Sequence, residues 1–129
     1  MTSGPPPREA LTLDGPAGRI EALLDTPAGP LARAVGVVCH PHPQHQGTML
    51  NKVVHTLSRA LNDLQVPAVR FNFRGVGASE GAYADGLGET DDALAVAAWA
   101  QPVSYTHLTL RGMRWKMRVG HAVPVIQFL

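Results

Sequence analysis

The order of secondary-structure elements that the sequence predicts is typical of the α/β class. An apolar run at 34–39 predicts a buried strand, and 50–64 has the apolar period of an amphipathic helix. Residues 67–73 predict another strand, and 90–99 a second helix. Strand, helix, strand and helix in this order indicate a βαβ crossover whose two strands are parallel.

A hairpin is predicted before the crossover, because two strand-like runs, 11–13 and 19–24, flank a turn rich in glycine and proline. The run at 34–39 has the continuous apolar character of a strand that is buried on both faces. The later strand alternates, with three residues predicted on one face and two on the other: Val69, Phe71 and Phe73 against Arg70 and Asn72.

The first helix is predicted to begin after Thr48, whose hydroxyl can accept a hydrogen bond from an unpaired amide of the first turn. Its apolar positions predict the buried face, and its polar positions predict the opposite side. The apolar set is Leu50, Val53, Val54, Leu57, Ala60, Leu61 and Leu64, and the polar set is Asn51, His55, Ser58, Arg59 and Asn62. The second helix is predicted to begin near Thr90, with Asp91 and Asp92 beside its positive end.

Composition limits the classes of function. The chain has 129 residues, 45% of them hydrophobic, with formal charge +1, which fits one globular domain. Apolar runs fall short of the roughly 20 residues that span a bilayer. Neither a secretory signal nor a pair of cysteines is evident, so we expect a cytoplasmic protein, with Cys39 a buried small hydrophobe. Four basic residues and no acidic ones after 101 are too few to predict a nucleic-acid partner.

The loop that follows the first buried strand carries the densest chemistry. It contains His40, His42 and His45, and the carboxyl end of a strand is the usual place for ligands in open α/β sheets. One interpretation is that these histidines pack in a proline-stiffened turn, and another is a metal- or anion-binding module built on H-x-H-x-x-H. Backbone amides of such a loop can stabilise negative charge that develops on a bound group. Because proline has no N–H, the first candidate for such an amide is His42 and the second is Gln44.

Residues 77–81 match G-x-S-x-G, the pattern of a nucleophile elbow. The preceding strand is predicted to end near Phe73, and the residues after Gly81 do not predict the helix that such an elbow requires. We therefore interpret Ser79 as a loop serine at a pocket rim, and keep a compact esterase that uses Ser79 as an alternative.

Three segments together resemble a bacterial group of α/β-hydrolases. They are His40-Pro41-His42-Pro43, then Gly47-Thr48-Met49-Leu50-Asn51-Lys52-Val53-Val54, then Phe71-Asn72-Phe73-Arg74-Gly75-Val76-Gly77-Ala78-Ser79-Glu80-Gly81. The resemblance implies a serine hydrolase with esterase- or peptidase-like activity on small ester or amide substrates, a Ser-His-Asp triad and no cofactor. It implies that the His42 amide, or that of Gln44, forms part of an oxyanion hole, and that His40, His42, Arg74 and Gly75 lie on the substrate side.

The resemblance covers 11–101 and ends where such a family would continue into the true elbow, the acid and the base. Residues 102–110 instead resemble translated sequencing-adapter sequence, so His107 and His121 are given no role. We expect a flexible segment at 1–10, the amino-terminal part of a hydrolase domain at 11–101, and an artefactual tail at 102–129. The expected sheet is incomplete, and the expected chain is an inactive fragment without an identifiable triad.

Overall fold

A computed structural model of the chain describes residues 8–32, 34–43 and 47–100, together with the strand backbone at 109–110, 113–114 and 125–126. It contains seven strands and two helices in the described part. In chain order these are β1 Arg8–Gly15, β2 Gly18–Asp25, β3 Gly36–Val38, α1 Lys52–Asp63, β4 Ala68–Phe71, α2 Leu87–Ala100, β5 Thr109–Leu110, β6 Met113–Arg114 and β7 Val125–Ile126.

The main sheet has the strand order β1-β2-β4-β3-β7. The first two strands form the predicted antiparallel hairpin, β2 is antiparallel to β4, and β4 is parallel to β3. The second side of β3 pairs in parallel with the two residues of β7, and β5 and β6 pair only with each other. The α/β class, the hairpin and the crossover through α1 are therefore confirmed.

The face of the sheet under α2 is apolar. Val69, Phe71 and Phe73 point to this face, as the alternation predicts, and pack in one cluster with buried residues of β2 and β3. The helix contributes small side chains, among them Ala93 and Ala97, which allow a close approach to the sheet. Burial of this apolar surface is the main favourable contribution to folding on this side.

The face under α1 contains a buried polar cluster, and here the predicted helix face is only partly correct. Ser58 and Asn62, which the pattern assigned to the solvent side, are buried together with Val54. Leu50 and Leu64, assigned to the core, are 67% and 71% exposed. The reason is Asp25 at the end of β2, because Ser58 donates to its carboxylate and Asn62 donates to its backbone carbonyl.

Both helices also begin at other residues than predicted. The side chain of Asn51 caps α1 by accepting from the Val53 amide, whereas Thr48 accepts from Leu50 in the preceding turn. The second helix begins at Leu87, because Glu89 accepts hydrogen bonds from amides of the loop before it and so provides the acidic group of the first turn.

Candidate functional site

The candidate site lies at the carboxyl ends of the two parallel strands β3 and β4. The segment 40–49, here called the oxyanion loop after the role expected for it, follows β3, and the segment 72–86, here called the glycine loop, follows β4. Both segments therefore emerge at the same edge of the sheet, where open α/β folds bind ligands. Residues 44–46 lie outside the described residues, so Gln44 and His45 have no structural account.

His40 fastens the start of the oxyanion loop to the end of β4. Its Nε2 accepts from the Phe73 amide at 3.1 Å, and its Nδ1 lies 2.6 Å from the carbonyl oxygen of Pro41. Because an amide can only donate, Nε2 is unprotonated and the proton is on Nδ1. Burial lowers the pKa of His40, while the bond to Pro41 opposes this in part. The ring is thus neutral and 1% exposed, and it supports the loop rather than facing a substrate.

His42 lies at the turn of the loop. Its carbonyl accepts from the Gly47 amide at 3.2 Å, and its Nε2 is 3.0 Å from the hydroxyl of Tyr83 in the glycine loop. The two rings are tilted, with centroids 5.2 Å apart. A Cβ at position 47 would collide with the backbone of Pro41 and His42, which explains the glycine. The two loops therefore meet through His42 and Tyr83.

The far end of the oxyanion loop is held at Met49. The Met49 amide donates to Oδ1 of Asn72 at 2.8 Å, and its carbonyl accepts from Nη1 of Arg70 at 3.2 Å. Arg70 also forms a buried ion pair with Asp25 on β2, with Nε 2.8 Å from Oδ2. Both ends of the loop are thus fixed by residues of β4 or just after it.

Ser79 binds backbone groups on two sides. Its hydroxyl donates to the carbonyl of Asn72 at 2.7 Å and accepts from the Glu21 amide at 2.9 Å. The residue is buried, and these two bonds hold the middle of the glycine loop against its own first residue and against β2. The hydroxyl is therefore used by the scaffold, which favours the interpretation of Ser79 as a structural loop serine over the compact-esterase alternative.

Arg74 and Gly75 shape the glycine loop. Nε and Nη2 of Arg74 contact the Asp92 carboxylate on α2 at 3.1 and 2.9 Å, and the Arg74 amide donates to the same group. The Asp92 hydrogen bond raises the pKa of Arg74 further. Gly75 adopts φ 77°, a left-handed conformation that favours glycine. In this structure Arg74, whose side chain is only 14% exposed, holds the loop on α2, whereas the Gly75 amide donates to the Glu80 carbonyl within the loop.

The histidines of the oxyanion loop do not assemble a metal site within the described residues, where no group of three or more metal-ligating side chains occurs. Both ring nitrogens of His40 are engaged with the backbone. Cys39, at the end of β3, is buried, and burial raises the pKa of its thiol to about 12, so it is a small core residue rather than a thiolate ligand.

Several supporting residues were missed by sequence reasoning. Glu21, Asp25 and Asp92 receive the hydrogen bonds that orient Asn72, Arg70 and Arg74, and Tyr83 contacts His42. A usable signal was the presence of Arg70 and Asn72 in an otherwise apolar strand, since buried polar groups need partners. The partners themselves could not be named without the strand order.

An open recess of about 420 Å³ lies between the hairpin and the glycine loop. It is lined by Ala10, Leu11, Thr12, Arg19, Glu21 and Ala78. None of these belongs to the oxyanion loop, and only Ala78 belongs to the glycine loop, so the recess lies mainly on the hairpin. Across the described ranges, no helix is long and apolar enough to cross a membrane.

Comparison with known proteins identifies the fold. An α/β serine hydrolase homologue from Coxiella burnetii is 49% identical over 70% of this chain, with a TM-score of 0.69. A Xanthomonas campestris structure, described as a member of the α/β serine hydrolases without a lid, is 44% identical over 77%, with a TM-score of 0.68. An uncharacterized Rickettsia prowazekii protein is 43% identical over 88 residues, or 68% of this chain. No protein-family model matches.

The chain spans less than half the length of each of these relatives, with 44%, 46% and 37% of their residues covered in the same order. The matched part includes a mixed sheet in which a hairpin precedes a βαβ crossover. The chain therefore belongs to the α/β-hydrolases, and its mixed sheet of four strands, β1 to β4, with the two helices corresponds to the amino-terminal portion of that fold.

Proposed function

We propose that residues 11–101 are the amino-terminal part of a serine hydrolase that cleaves esters or amides of small molecules. In this proposal the segment supplies the oxyanion loop, with the His42 amide as the first candidate donor and the Gln44 amide as the second. The nucleophile elbow, the acid and the base belong to a part of the hydrolase that 11–101 does not include. A cytoplasmic location and the absence of a nucleic-acid partner remain predictions.

The observation that carries the proposal is the fastening of the oxyanion loop at both ends. His40 binds Phe73 at one end, and Asn72 and Arg70 bind Met49 at the other. Backbone amides stabilise developing negative charge most effectively when they are held in place before the reaction, because no reorganisation is then required. The serine hydrolase relatives make an acyl-transfer reaction the natural use of such a loop.

A chimera tests the proposal. Residues 11–101 of this chain replace the matching segment of the Coxiella burnetii homologue, and hydrolysis of p-nitrophenyl butyrate is compared with that of the parent protein. We expect a folded chimera to retain the parent's hydrolysis. Loss of activity in a chimera with native-like circular dichroism, beside an active parent, would show that the segment cannot supply a competent loop.

Two matched variants of the chimera separate backbone from side chain at position 42. His42→Pro removes the amide, whereas His42→Ala keeps it. Loss of one oxyanion donor lowers kcat by roughly 10²–10³-fold, so we expect that loss only in the proline variant. Equal activity of the two folded variants would contradict the assignment of His42.

A third variant addresses Ser79. Ser79→Ala in the chimera should leave labelling by a fluorophosphonate probe intact, because the reacting serine lies outside the transplanted segment. The 129-residue chain alone should form no fluorophosphonate adduct. An adduct on this chain that disappears in Ser79→Ala would establish the compact-esterase alternative instead.

A further inference from the structure

Met49 is held by side chains through both of its backbone groups. Asn72 accepts from its amide and Arg70 donates to its carbonyl, and these three residues are all buried. Side chains rarely replace backbone partners on both sides of one residue, since most backbone groups pair with other backbone groups. The position of Met49, at the end of the oxyanion loop, is thus set by two side chains and not by backbone pairing.

Each of the two side chains is oriented in turn by a carboxylate of β2. Nδ2 of Asn72 donates to Oε1 of Glu21 at 2.7 Å, and Nε of Arg70 donates to Oδ2 of Asp25 at 2.8 Å. Glu21 and Asp25 are four residues apart, so their side chains lie on the same face of the strand. Two chains of hydrogen bonds, here called relays, therefore connect β2 to Met49. The first runs from Glu21 through Asn72, and the second runs from Asp25 through Arg70.

The first relay makes a specific demand on the side chain at position 72. The Met49 amide can only donate and the Glu21 carboxylate can only accept, so one side chain must both accept and donate. Asparagine does both with Oδ1 and Nδ2. An aspartate has an acceptor but no donor for Glu21, and the repulsion between the two carboxylates would move it away from the Met49 amide. An alanine would lose both bonds.

Along the chain, Met49 is close to a residue that contacts the proposed oxyanion donor. Two residues before Met49, the Gly47 amide donates to the carbonyl of His42. Glu21 also accepts from the Ala78 amide at 2.8 Å, so the same carboxylate anchors the glycine loop. Movement of Glu21 or Asn72 would therefore be transmitted to both loops that border the site.

We infer that Asn72, oriented by Glu21, is a positioning residue that sets the geometry of the oxyanion loop through Met49. The inference rests on the proposed function, because the loop has a catalytic purpose only in a hydrolase. The relay itself is a local arrangement of the described residues and can be measured in this chain without any activity.

The test uses the full 129-residue chain labelled with ¹⁵N. Amide chemical shifts and hydrogen exchange of Gly47, Met49 and Ala78 are followed in Asn72→Asp, Asn72→Ala and the double variant Asn72→Asp with Glu21→Gln. In the double variant, the glutamine amide introduced at position 21 can donate to the carboxylate introduced at position 72. This reverses the direction of one hydrogen bond and restores the relay.

The matched control is Glu89→Gln, which changes a buried carboxylate that also accepts two hydrogen bonds, but from backbone amides at the start of α2. We expect the exchange protection of Met49 to fall by roughly tenfold or more in both single variants at position 72, as a net hydrogen bond of about 1.4 kcal/mol is lost. The double variant should recover most of that protection. Glu89→Gln should leave the shifts of Gly47 and Met49 unchanged.

The inference is overturned if Asn72→Asp leaves Met49 protected, or if the double variant recovers nothing although it folds. Equal perturbation of Met49 by Glu89→Gln would show a general loss of stability and would also overturn it. These outcomes differ from failure of the proposed function, which is detected by the chimera. An inactive chimera with an intact relay would leave Asn72 a structural residue of a loop with another purpose.

Discussion

Replacing Asp25 by asparagine removes the negative charge at the centre of the buried polar cluster under α1. The carboxylate accepts from Nε and Nη2 of Arg70, from Nε of Arg8 and from the hydroxyl of Ser58. The two guanidinium groups respond differently to its loss. Arg8 has a side chain that is 47% exposed and can turn to water, whereas the Arg70 side chain is 1% exposed and cannot.

The magnitude follows from this difference. Removal of one partner from a buried ion pair costs about 3–5 kcal/mol, because it leaves an uncompensated buried charge. Arg70 retains its bond to Met49, and the asparagine oxygen can still accept one hydrogen bond, so we expect a loss near 3 kcal/mol. Against a typical free energy of unfolding of about 5–15 kcal/mol, this is a large effect.

Urea unfolding followed by far-UV circular dichroism measures the loss at pH 7. The control is Asp63→Asn at the exposed last residue of α1, which should change the free energy of unfolding by less than about 0.5 kcal/mol. If Asp25→Asn unfolds at the same urea concentration as the unchanged chain, the ion pair does not contribute to stability and our reasoning about the α1 face is wrong.

The same variant has a pH signature. Burial raises the pKa of Asp25, but the hydrogen bonds from Ser58 and Arg70 outweigh this and leave the pKa below its ordinary value of 3.8. The stabilisation is therefore complete above pH 3.8 and is lost as the pH falls through the lower folded value. The difference in stability between the chain and Asp25→Asn should narrow in acid below pH 3.8.

Three further changes test the supports of the two loops. The pKa of His40 is lowered from 6.5 in the folded chain, so its contribution to the free energy of unfolding should be complete above that pH and be lost as the pH drops below it. In urea titrations at a series of pH values, His40→Gln should show a weaker dependence on pH. Arg74→Lys breaks a two-pronged contact with buried Asp92 and should cost about 1–3 kcal/mol in urea unfolding; an unchanged midpoint would contradict the contact. Gly47→Ala forces a Cβ into the Pro41 backbone and should lower the thermal midpoint by an amount equivalent to about 1–3 kcal/mol. The control is Gly86→Ala, where the added atom has open space but φ is positive, so that it measures backbone strain without a collision.

The elements under α2 could be predicted because their chemistry is simple. Alternation in β4 gave the correct face for Val69 and Phe71, and the continuous apolar run gave the buried position of β3. These patterns arise from burial of apolar surface alone, which a sequence displays directly. The order of the predicted elements was for the same reason enough to indicate the α/β class.

The face under α1 could not be predicted by the same rule. An amphipathic pattern assumes that a helix buries its apolar side, but Ser58 and Asn62 are buried because Asp25 accepts from one and its carbonyl from the other. Asp25 ends β2, far away in sequence, and its place beside β4 follows from the strand order. The helix starts were missed for a related reason, because Asn51 and Glu89 were better hydrogen-bonding partners than Thr48 and Asp91.

Part of the candidate site was visible in the sequence and part was not. The segment with the histidines follows β3, as the apolar run at 34–39 indicated, and the two backbone contacts of Ser79 favour its interpretation as a loop serine. The tautomer of His40 and the relay from Glu21 depend on single hydrogen bonds between segments that are 33 and 51 residues apart. Such contacts leave no periodic trace in a sequence.

The strand β4 has an arginine on its face towards α1 and apolar side chains on its face towards α2, so it should not tolerate a change in length. Inserting or deleting one residue before Arg70 would rotate the rest of the strand by half a turn, because side chains alternate between faces. The guanidinium would then face the alanines of α2, and the ring of Phe71 would face Asp25. Homologous proteins can therefore differ in the length of the connection between α1 and β4 only where Arg70 and Phe71 keep their faces. Random libraries of insertions and deletions, selected for folding, should contain few members with a changed length within 68–72.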